Sequence, residues 1–229
     1  MRVTQDPAWL WATKALFQAI LPLWLLLSSI MLVLVTSPIW VPVEYRLPGF
    51  PQDSYGFSLA ERLEWSAVDL EYLLNDADIS YFDDYQLEDG TPMHNDRELQ
   101  HMDDVKNLII LARMVWAGAS GLLVLAAAVV WFQAGSGSVL ASLRFGARAT
   151  VIFIAALIVG VGISFRFIFI GFHRIFFEGD TWLFKYSDTF IRLYPERFWR
   201  DTFIYMGAAA LFLAGLTWLA GRWRLKRVK

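Results

Sequence analysis

The chain has 229 residues, 57% of them hydrophobic and 16% aromatic, with 11 Trp and no Cys. That composition excludes an ordinary soluble domain, and the missing cysteines exclude disulfides, thiolate metal sites and cysteine nucleophiles while leaving the redox compartment open. A formal net charge of −2 says little by itself, but the placement of the charges orients the chain.

A hydrocarbon core about 30 Å thick is crossed by roughly 20 apolar residues as helix. Four segments have that length: about 15–35, 107–132, 149–172 and 202–220. The expected fold class is an all-α membrane protein with four transmembrane helices, forming a single integral membrane domain over residues 1–229. The first run reads as a retained anchor, because it is longer than a signal-peptide core and "VTSPIW" offers no small-x-small cleavage site. Pro22 is tolerable there. Arg2, Lys14, Arg144, Arg148, Arg222, Arg224, Lys226, Arg227 and Lys229 lie in the terminal segments and the middle connection, facing one acid, Asp6. The positive-inside rule therefore places both termini and the loop 133–148 in the cytoplasm, and the loops 36–106 and 173–201 outside. "AGSGS" reads as a short turn linking two hairpins, and no repeat of about 20–50 residues is visible.

The first outer loop carries sixteen Asp or Glu against Arg46, Arg62, Arg97 and the membrane-proximal Lys106, so it reads as a small, mainly helical extracytoplasmic domain between the first and second spans. Its opening, "SPIWVPVEYRLPGFPQD", is Pro-rich and expected to be extended, with a short strand through Val41–Tyr45. A helix follows, with Ser58 as N-cap, Glu61 completing a capping box, and Leu59, Leu63, Ala67, Leu70, Leu73 and Leu74 on one apolar face. That face is expected to lie on the membrane surface or the other outer loop, or to act as a lid over a lipid site. A hairpin is expected around Asp89-Gly90, and His94 in "TPMHND" reads as a solvated loop residue.

The stretch "RELQHMDDVK" precedes the second span. A helix starting near Asn95 or Asp96 puts Glu98, His101 and Asp104 or Val105 on one face and continues into the span without a break. His101 then lies at headgroup depth, where a carboxylate one turn away can fix its tautomer and raise its basicity. His173, in "RFIFIGFHRIFFEGDTWLF", is expected at the same depth on the third span, with Arg166 on its face about 10 Å back. An arginine inside a span is costly unless it snorkels, pairs or lines a polar cavity, and Arg113 on the second span is similar. Together these four residues suggest an outward-opening polar cleft. Asp180 and Asp188 are candidates to orient His173 or Arg192, Glu196 and Arg200 can bridge at i, i+4, and Trp182, Phe184, Phe198 and Trp199 read as an interfacial aromatic belt.

"RELQHMDDVK" together with "GFHRIFFEGDTWLFKYSDTFIRLYPERFW" resembles the lipoprotein intramolecular transacylase family, and so does the four-span layout with an acidic first outer loop. The resemblance implies a bacterial cell-membrane acyltransferase with its active site on the extracytoplasmic side. It would move the sn-2 acyl chain of a diacylglyceryl-modified N-terminal cysteine to that cysteine's own α-amino group, giving a lyso-form lipoprotein. Its partners would be such lipoproteins and membrane lipids, not nucleic acid, and no cofactor or metal is implied. On matching positions His101 and His173 would be the catalytic pair; Glu98, Asp104, Lys106, Arg166 and Asp180 are the candidate supporting groups. Residues 36–92 match in length more than in residue pattern.

The chemistry is consistent on its own terms. The substrate brings its own amine as nucleophile, ester to amide is downhill, and neither a P-loop nor a dinucleotide fingerprint is present. The oxyanion needs donors, and a protonated histidine, Arg166 or backbone amides near Gly171 or Gly179 could serve. Two alternatives stay open at this point. A metal-dependent membrane hydrolase would use both histidines with Glu98, Asp104 or Asp180 as ligands, although no short ligand spacing supports it. A non-enzymatic sensor or assembly protein would bind a partner through the acidic loop. A transporter fits worst, since polar residues lie near one side and no inverted repeat is seen.

Overall fold

The computed structural model describes residues 6–222. Of the basic residues that orient the chain, Arg2, Arg224, Lys226, Arg227 and Lys229 lie outside the described residues. The elements in order are α1 (Ala8–Glu44), α2 (Leu59–Leu74), a 3₁₀ turn (Ile79–Phe82), α3 (Asp96–Ala134), α4 (Ser136–Phe176), α5 (Thr189–Leu193) and α6 (Glu196–Arg222). Among the described residues there is no strand, only one isolated bridge between Gln86 and Pro92. Helices α1, α3, α4 and α6 are long and apolar enough to cross a membrane, so the protein is an all-α, multi-pass membrane protein. The 39 residues of α3 extend about 58 Å at 1.5 Å per residue, roughly twice a hydrocarbon core.

Three stretches differ from the sequence reading. The strand expected through Val41–Tyr45 is helix, because α1 runs on to Glu44. Pro38 removes the donor that would serve the Leu34 carbonyl, and the Ser37 hydroxyl supplies it instead, donating to that oxygen at 2.7 Å. The 133–148 connection is likewise helical except at Gly135. That residue has φ +77° and donates its N–H to the Trp131 carbonyl at 2.9 Å, a left-handed helix end that glycine adopts without penalty. Finally, α4 is not one continuous helix. Ser164 has φ −160° and ψ 98°, and its hydroxyl accepts the Phe167 N–H at 3.2 Å, so it caps a new helical segment at the break.

The described residues form two compact units, 6–32, 113–159 and 206–222 in the first and 33–112 and 160–205 in the second. The first has a core of Leu10, Phe17, Leu21, Leu25, Leu123, Ala126, Val130, Val139 and Ala214. Its α1 and α3 exchange a reciprocal pair of hydrogen bonds: the Trp24 indole donates to Ser120 Oγ at 2.7 Å, and the Trp116 indole donates to Ser28 Oγ at 2.9 Å. The i, i+4 spacing on each helix lets one face do both. Helix α4 meets α1 at Gly146, where a Cβ would stand 2.6 Å from Leu21 Cδ2 and 2.9 Å from Leu21 Cβ.

The second unit packs Val41, Tyr45, Tyr72, Phe82, Met93, Met102, Phe190, Leu193, Tyr194 and Phe198 into one cluster. Helix α2 begins as expected: Ser58 Oγ accepts the Glu61 N–H and Glu61 Oε2 accepts the Ser58 N–H. Its buried residues, however, are Arg62, Ser66, Asp69 and Tyr72. The polar face turns inward because partners await it there. Arg62 donates to the carbonyls of Pro51 and Leu193, and Asp69 Oδ2 accepts the Tyr194 hydroxyl at 2.9 Å. The leucine face carries Leu59 exposed and Leu63, Ala67, Leu70 and Leu74 on a half-open cavity of about 410 Å³ with Pro38, Val41 and Pro42. The expected hairpin is a tight loop, with Gly90 at φ +81° and the Leu87 N–H donating to the Thr91 carbonyl.

His94 overturns the expectation of a solvated loop residue. It is 3% exposed, with Nε2 2.7 Å from Asp69 Oδ1 and Nδ1 4.0 Å from Glu98 Oε2, and with the Phe82 ring 5.1 Å away. The turn folds inward because a buried carboxylate needs a counter-charge, which "TPMHND" by itself does not reveal. Burial alone would lower the His94 pKa. The charge of Asp69, its hydrogen bond and the charge of Glu98 outweigh burial and hold it above the ordinary value.

Two outcomes follow for stability. Gly146→Ala is expected to destabilise the protein by about 1–3 kcal/mol through overpacking on Leu21, read as a lowered unfolding temperature in detergent. Because the His94 pKa is raised on folding, its contribution is fully present below about pH 6.5 and is lost as pH rises through the folded value. The unfolding-temperature gap between the unsubstituted protein and His94→Asn should therefore be widest at acid pH and narrow toward alkaline pH. A gap that widens with pH would refute the buried ion pair.

Candidate active site

Helix α3 starts where its sequence allows a second capping box. Asn95 Oδ1 accepts the N–H groups of Arg97 and Glu98, while Glu98 Oε2 accepts the Asn95 N–H at 2.8 Å. This cap fixes the register that turns His101 inward one turn later. His173 comes from the last turns of α4. The two imidazoles lie nearly parallel, ring centroids 5.9 Å apart and planes inclined by 22°, and they are 3% and 7% exposed.

Aromatic rings enclose the pair. Phe177, Phe184 and Phe190 stand 4.9, 5.4 and 5.5 Å from His101, while Phe169 and Trp182 stand 4.2 and 4.8 Å from His173. His173 Nδ1–H donates to the Phe169 carbonyl at 2.8 Å. A carbonyl only accepts, so Nδ1 carries the proton and Nε2 is the free nitrogen of the neutral ring. His101 Nδ1 is buried without a hydrogen-bond partner. Two imidazoles this close in an apolar shell are poorly suited to carry two positive charges at once, so one added proton is the most the pair is built to hold. That is an arrangement for moving a proton.

The structure brings His101 and His173 together as the sequence suggested, but it scatters the supporting candidates. Glu98 does not bond His101; besides Asn95 it accepts the Phe190 N–H through Oε1 at 2.6 Å, and so holds α5. Asp104 accepts from Thr181 Oγ1 at 3.3 Å. Lys106 fastens the end of α2 to α3, donating to Asn75 Oδ1 at 3.2 Å and to the Ala77 carbonyl, with its ammonium 3.9 Å from the Tyr72 ring centroid. Asp180 and Arg166 are exposed, and the groups that surround the two imidazoles are aromatic rings where the sequence suggested a polar cleft. Asp188 accepts the Lys185 N–H, Arg192 pairs with Asp53 at 3.0 Å, and Arg200 pairs with Asp201 at 3.5 Å.

The residues read as an interfacial belt are the other correction. Trp182 and Phe184 contact the histidine rings, Phe198 is buried, and Trp199 stands 6.3 Å from Phe169. Sequence reasoning missed Phe169 and Phe177, which flank His173 at i−4 and i+4 and could have been found by helical spacing. Phe190 carried no such signal, because the chain leaves the helix before reaching it. Among the described residues no group of three or more His, Asp or Glu is arranged to hold a metal ion.

Comparison with known proteins identifies the family. Residues 15–199 match the family described as lipoprotein intramolecular transacylase Lit. An uncharacterized protein of Aquifex aeolicus (strain VF5) is 30% identical over 189 residues, 78% of this chain and 76% of its own length. The solved structure of the membrane integral lipoprotein intramolecular transacylase Lit from Bacillus cereus superposes with a TM-score of 0.76 at 20% identity, covering 92% of this chain and 93% of that one. A histidine-to-alanine variant of the same Bacillus cereus protein gives a TM-score of 0.71 at 20% identity, covering 92% and 91%. With most of its length matched by the family, the chain belongs to the lipoprotein intramolecular transacylases, membrane enzymes that transfer an acyl group within a lipoprotein.

Proposed function

We propose that His101 and His173 together carry the acyl transfer, acting on a diacylglyceryl-modified N-terminal cysteine. The reading rests on one observation, two buried imidazoles stacked at 5.9 Å with the tautomer of His173 set by a backbone carbonyl. In the reaction one imidazole nitrogen takes a proton from the α-ammonium group. The freed amine nitrogen attacks the sn-2 ester carbon, and the electron pair moves to the carbonyl oxygen. Collapse forms the amide and breaks the carbon–oxygen ester bond; the imidazolium gives its proton to the departing glycerol oxygen, and the freed imidazole takes the second proton from the nitrogen and releases it to solvent. The atoms and charge then balance: the products are an N-acyl cysteine, a free glycerol hydroxyl and one proton.

The proton transfer is within reach of imidazole. In water an α-amino group has a pKa of about 7.7–8.0 against about 6.5 for a free histidine, a gap of roughly 1.8 kcal/mol, which burial of the two imidazoles widens by disfavouring their charged form. The nucleophile and the ester belong to the same molecule, so holding them together supplies most of what a second enzyme nucleophile would otherwise provide. Membrane lipids complete the surroundings, and the acidic residues of 36–106 favour the approach of a cationic lipoprotein N-terminus through a field that salt screens.

On sidedness, we place the histidines and residues 36–106 and 173–201 on the extracytoplasmic side of a bacterial cell membrane, with both termini and the Gly135 turn in the cytoplasm. The support is the basic excess of those segments. A cysteine placed at Ser138 is expected to be protected from an impermeant thiol reagent in intact cells, and one at Ser54 to be labelled. The reverse pattern would overturn the orientation.

His101→Ala and His173→Ala are each expected to lose about 10²–10⁴-fold in acyl transfer while remaining folded. The double variant should be scarcely slower than either, since the two act as a unit. The assay incubates purified protein with a diacylglyceryl lipopeptide and follows, by mass-spectrometric fragmentation, the mass-neutral shift of one acyl chain from glycerol to the amine. Near-normal transfer by both single variants would sink the assignment.

A further inference from the structure

Within the closed shell around the histidines, two polar atoms are buried without a hydrogen-bond partner: His101 Nδ1 and Trp182 Nε1. The first belongs to a residue with an assigned role. The second does not, and it is chemically narrower, because an indole nitrogen is a donor and never an acceptor. Buried donors are nearly always satisfied in folded proteins, and a specific exception calls for an explanation. Two other indole nitrogens do find partners: Trp24 and Trp116 both donate to serine hydroxyls. Trp182 alone of these three keeps its donor idle, and its ring stands 4.8 Å from the His173 ring.

An idle donor beside a proton-moving pair matches the part of the reaction that the histidines leave unserved. As the amine attacks, negative charge collects on the acyl carbonyl oxygen, and that oxygen needs a donor that is already in place and already stripped of water. Two of the other donors that the sequence offered are poorly placed for this work, since Arg166 is exposed and Gly171 lies inside helix α4. Trp182 sits in the loop after α4, just past the left-handed Gly179, so its position is set by a turn and its ring packs on the catalytic shell.

We propose that Trp182 is a catalytic residue whose indole N–H donates to the acyl carbonyl oxygen of the lipoprotein ester and holds it as the oxyanion forms. This rests on the histidine-pair reading above. The N–H keeps its proton throughout: the oxygen receives an electron pair from the breaking carbonyl π bond, accepts the hydrogen bond, and returns the pair when the glycerol oxygen leaves. In the resting protein the donor is unpaired, so the residue contributes nothing to stability through that atom. This separates a catalytic role from a structural one.

The test is Trp182→Phe, which keeps an aromatic ring against His173 and removes the donor. It is expected to lower kcat by about 10²–10³-fold with KM within a few-fold, and to leave the unfolding temperature unchanged or slightly raised. Replacing Trp182 by the benzothienyl analogue of tryptophan, which has sulfur in place of N–H and the same shape, should give the same loss and keeps the test open if the phenylalanine variant folds poorly. A kcat within about three-fold of normal for the benzothienyl protein would overturn the proposal. The indole N–H resonance of ¹⁵N-tryptophan-labelled protein provides a readout that needs no turnover. It should move downfield when the N-acyl lyso-lipopeptide product is bound, and an unmoved resonance at saturating lipopeptide would also overturn the proposal. If the unsubstituted protein transferred no acyl chain at all, the proposed reaction would fail, and the resonance would still decide whether Trp182 meets a carbonyl.

Discussion

One buried carboxylate organises the second compact unit. Glu98 accepts the Asn95 N–H through one oxygen and the Phe190 N–H through the other, while His94 faces it from the turn before α3. Through these contacts it caps a membrane helix, fixes the start of the short helix α5 and neighbours the buried ion pair of His94 and Asp69. Each partner lies on a different stretch of chain, and none could be buried alone without leaving an unpaired polar group of high cost. The remaining docking of α5 follows the same logic. Tyr45 donates its hydroxyl to the Leu193 carbonyl at 3.0 Å, and Arg192 reaches Asp53 from the same five-residue element. With α5 held at both ends, Phe190 has one position, and that position is against His101.

The first unit is held by a different balance. Its helices bury alanine, leucine and valine against one another, and apolar surface buried from lipid yields little of the driving force it would give in water. Close approach at Gly146 and the reciprocal tryptophan–serine bonds of α1 and α3 take over that role. Such bonds average about 0.6 kcal/mol each inside a membrane, so two of them specify which face meets which more than they add stability.

The features legible in the sequence were those with a local cause. Four apolar runs of spanning length, the Ser58–Glu61 capping box and the helix that carries His101 into the second span all follow from periodicity and capping chemistry, which act over a few residues. The pairing of His101 with His173 was legible because both sit just beyond an apolar run, so membrane depth substitutes for a tertiary contact. The misread residues are those whose environment is made by distant chain. Pro38 and Pro42 looked like the end of α1, yet a serine hydroxyl repairs the missing bond at Pro38. His94 looked solvated because Asp69 lies 25 residues away on a helix whose leucines suggested the opposite inward face. Trp182 and Phe184 looked like a belt because aromatic residues near a span end usually are one, and only the fold of the loop after α4 turns them onto the imidazoles.

The tightness of the aromatic shell has a consequence for selectivity between nucleophiles. A base able to deprotonate an amine beside an ester is equally able to activate water, and in an open, wet cleft the same two histidines would favour release of a free fatty acid. Here the rings leave the pair almost without solvent contact, so in the proposed reaction the nucleophile arrives with the lipid that carries it and not as free water. In the proposed reaction, enclosure does for this protein what a dedicated acyl-acceptor pocket does for an ordinary transferase: it admits the tethered amine and keeps hydrolysis out.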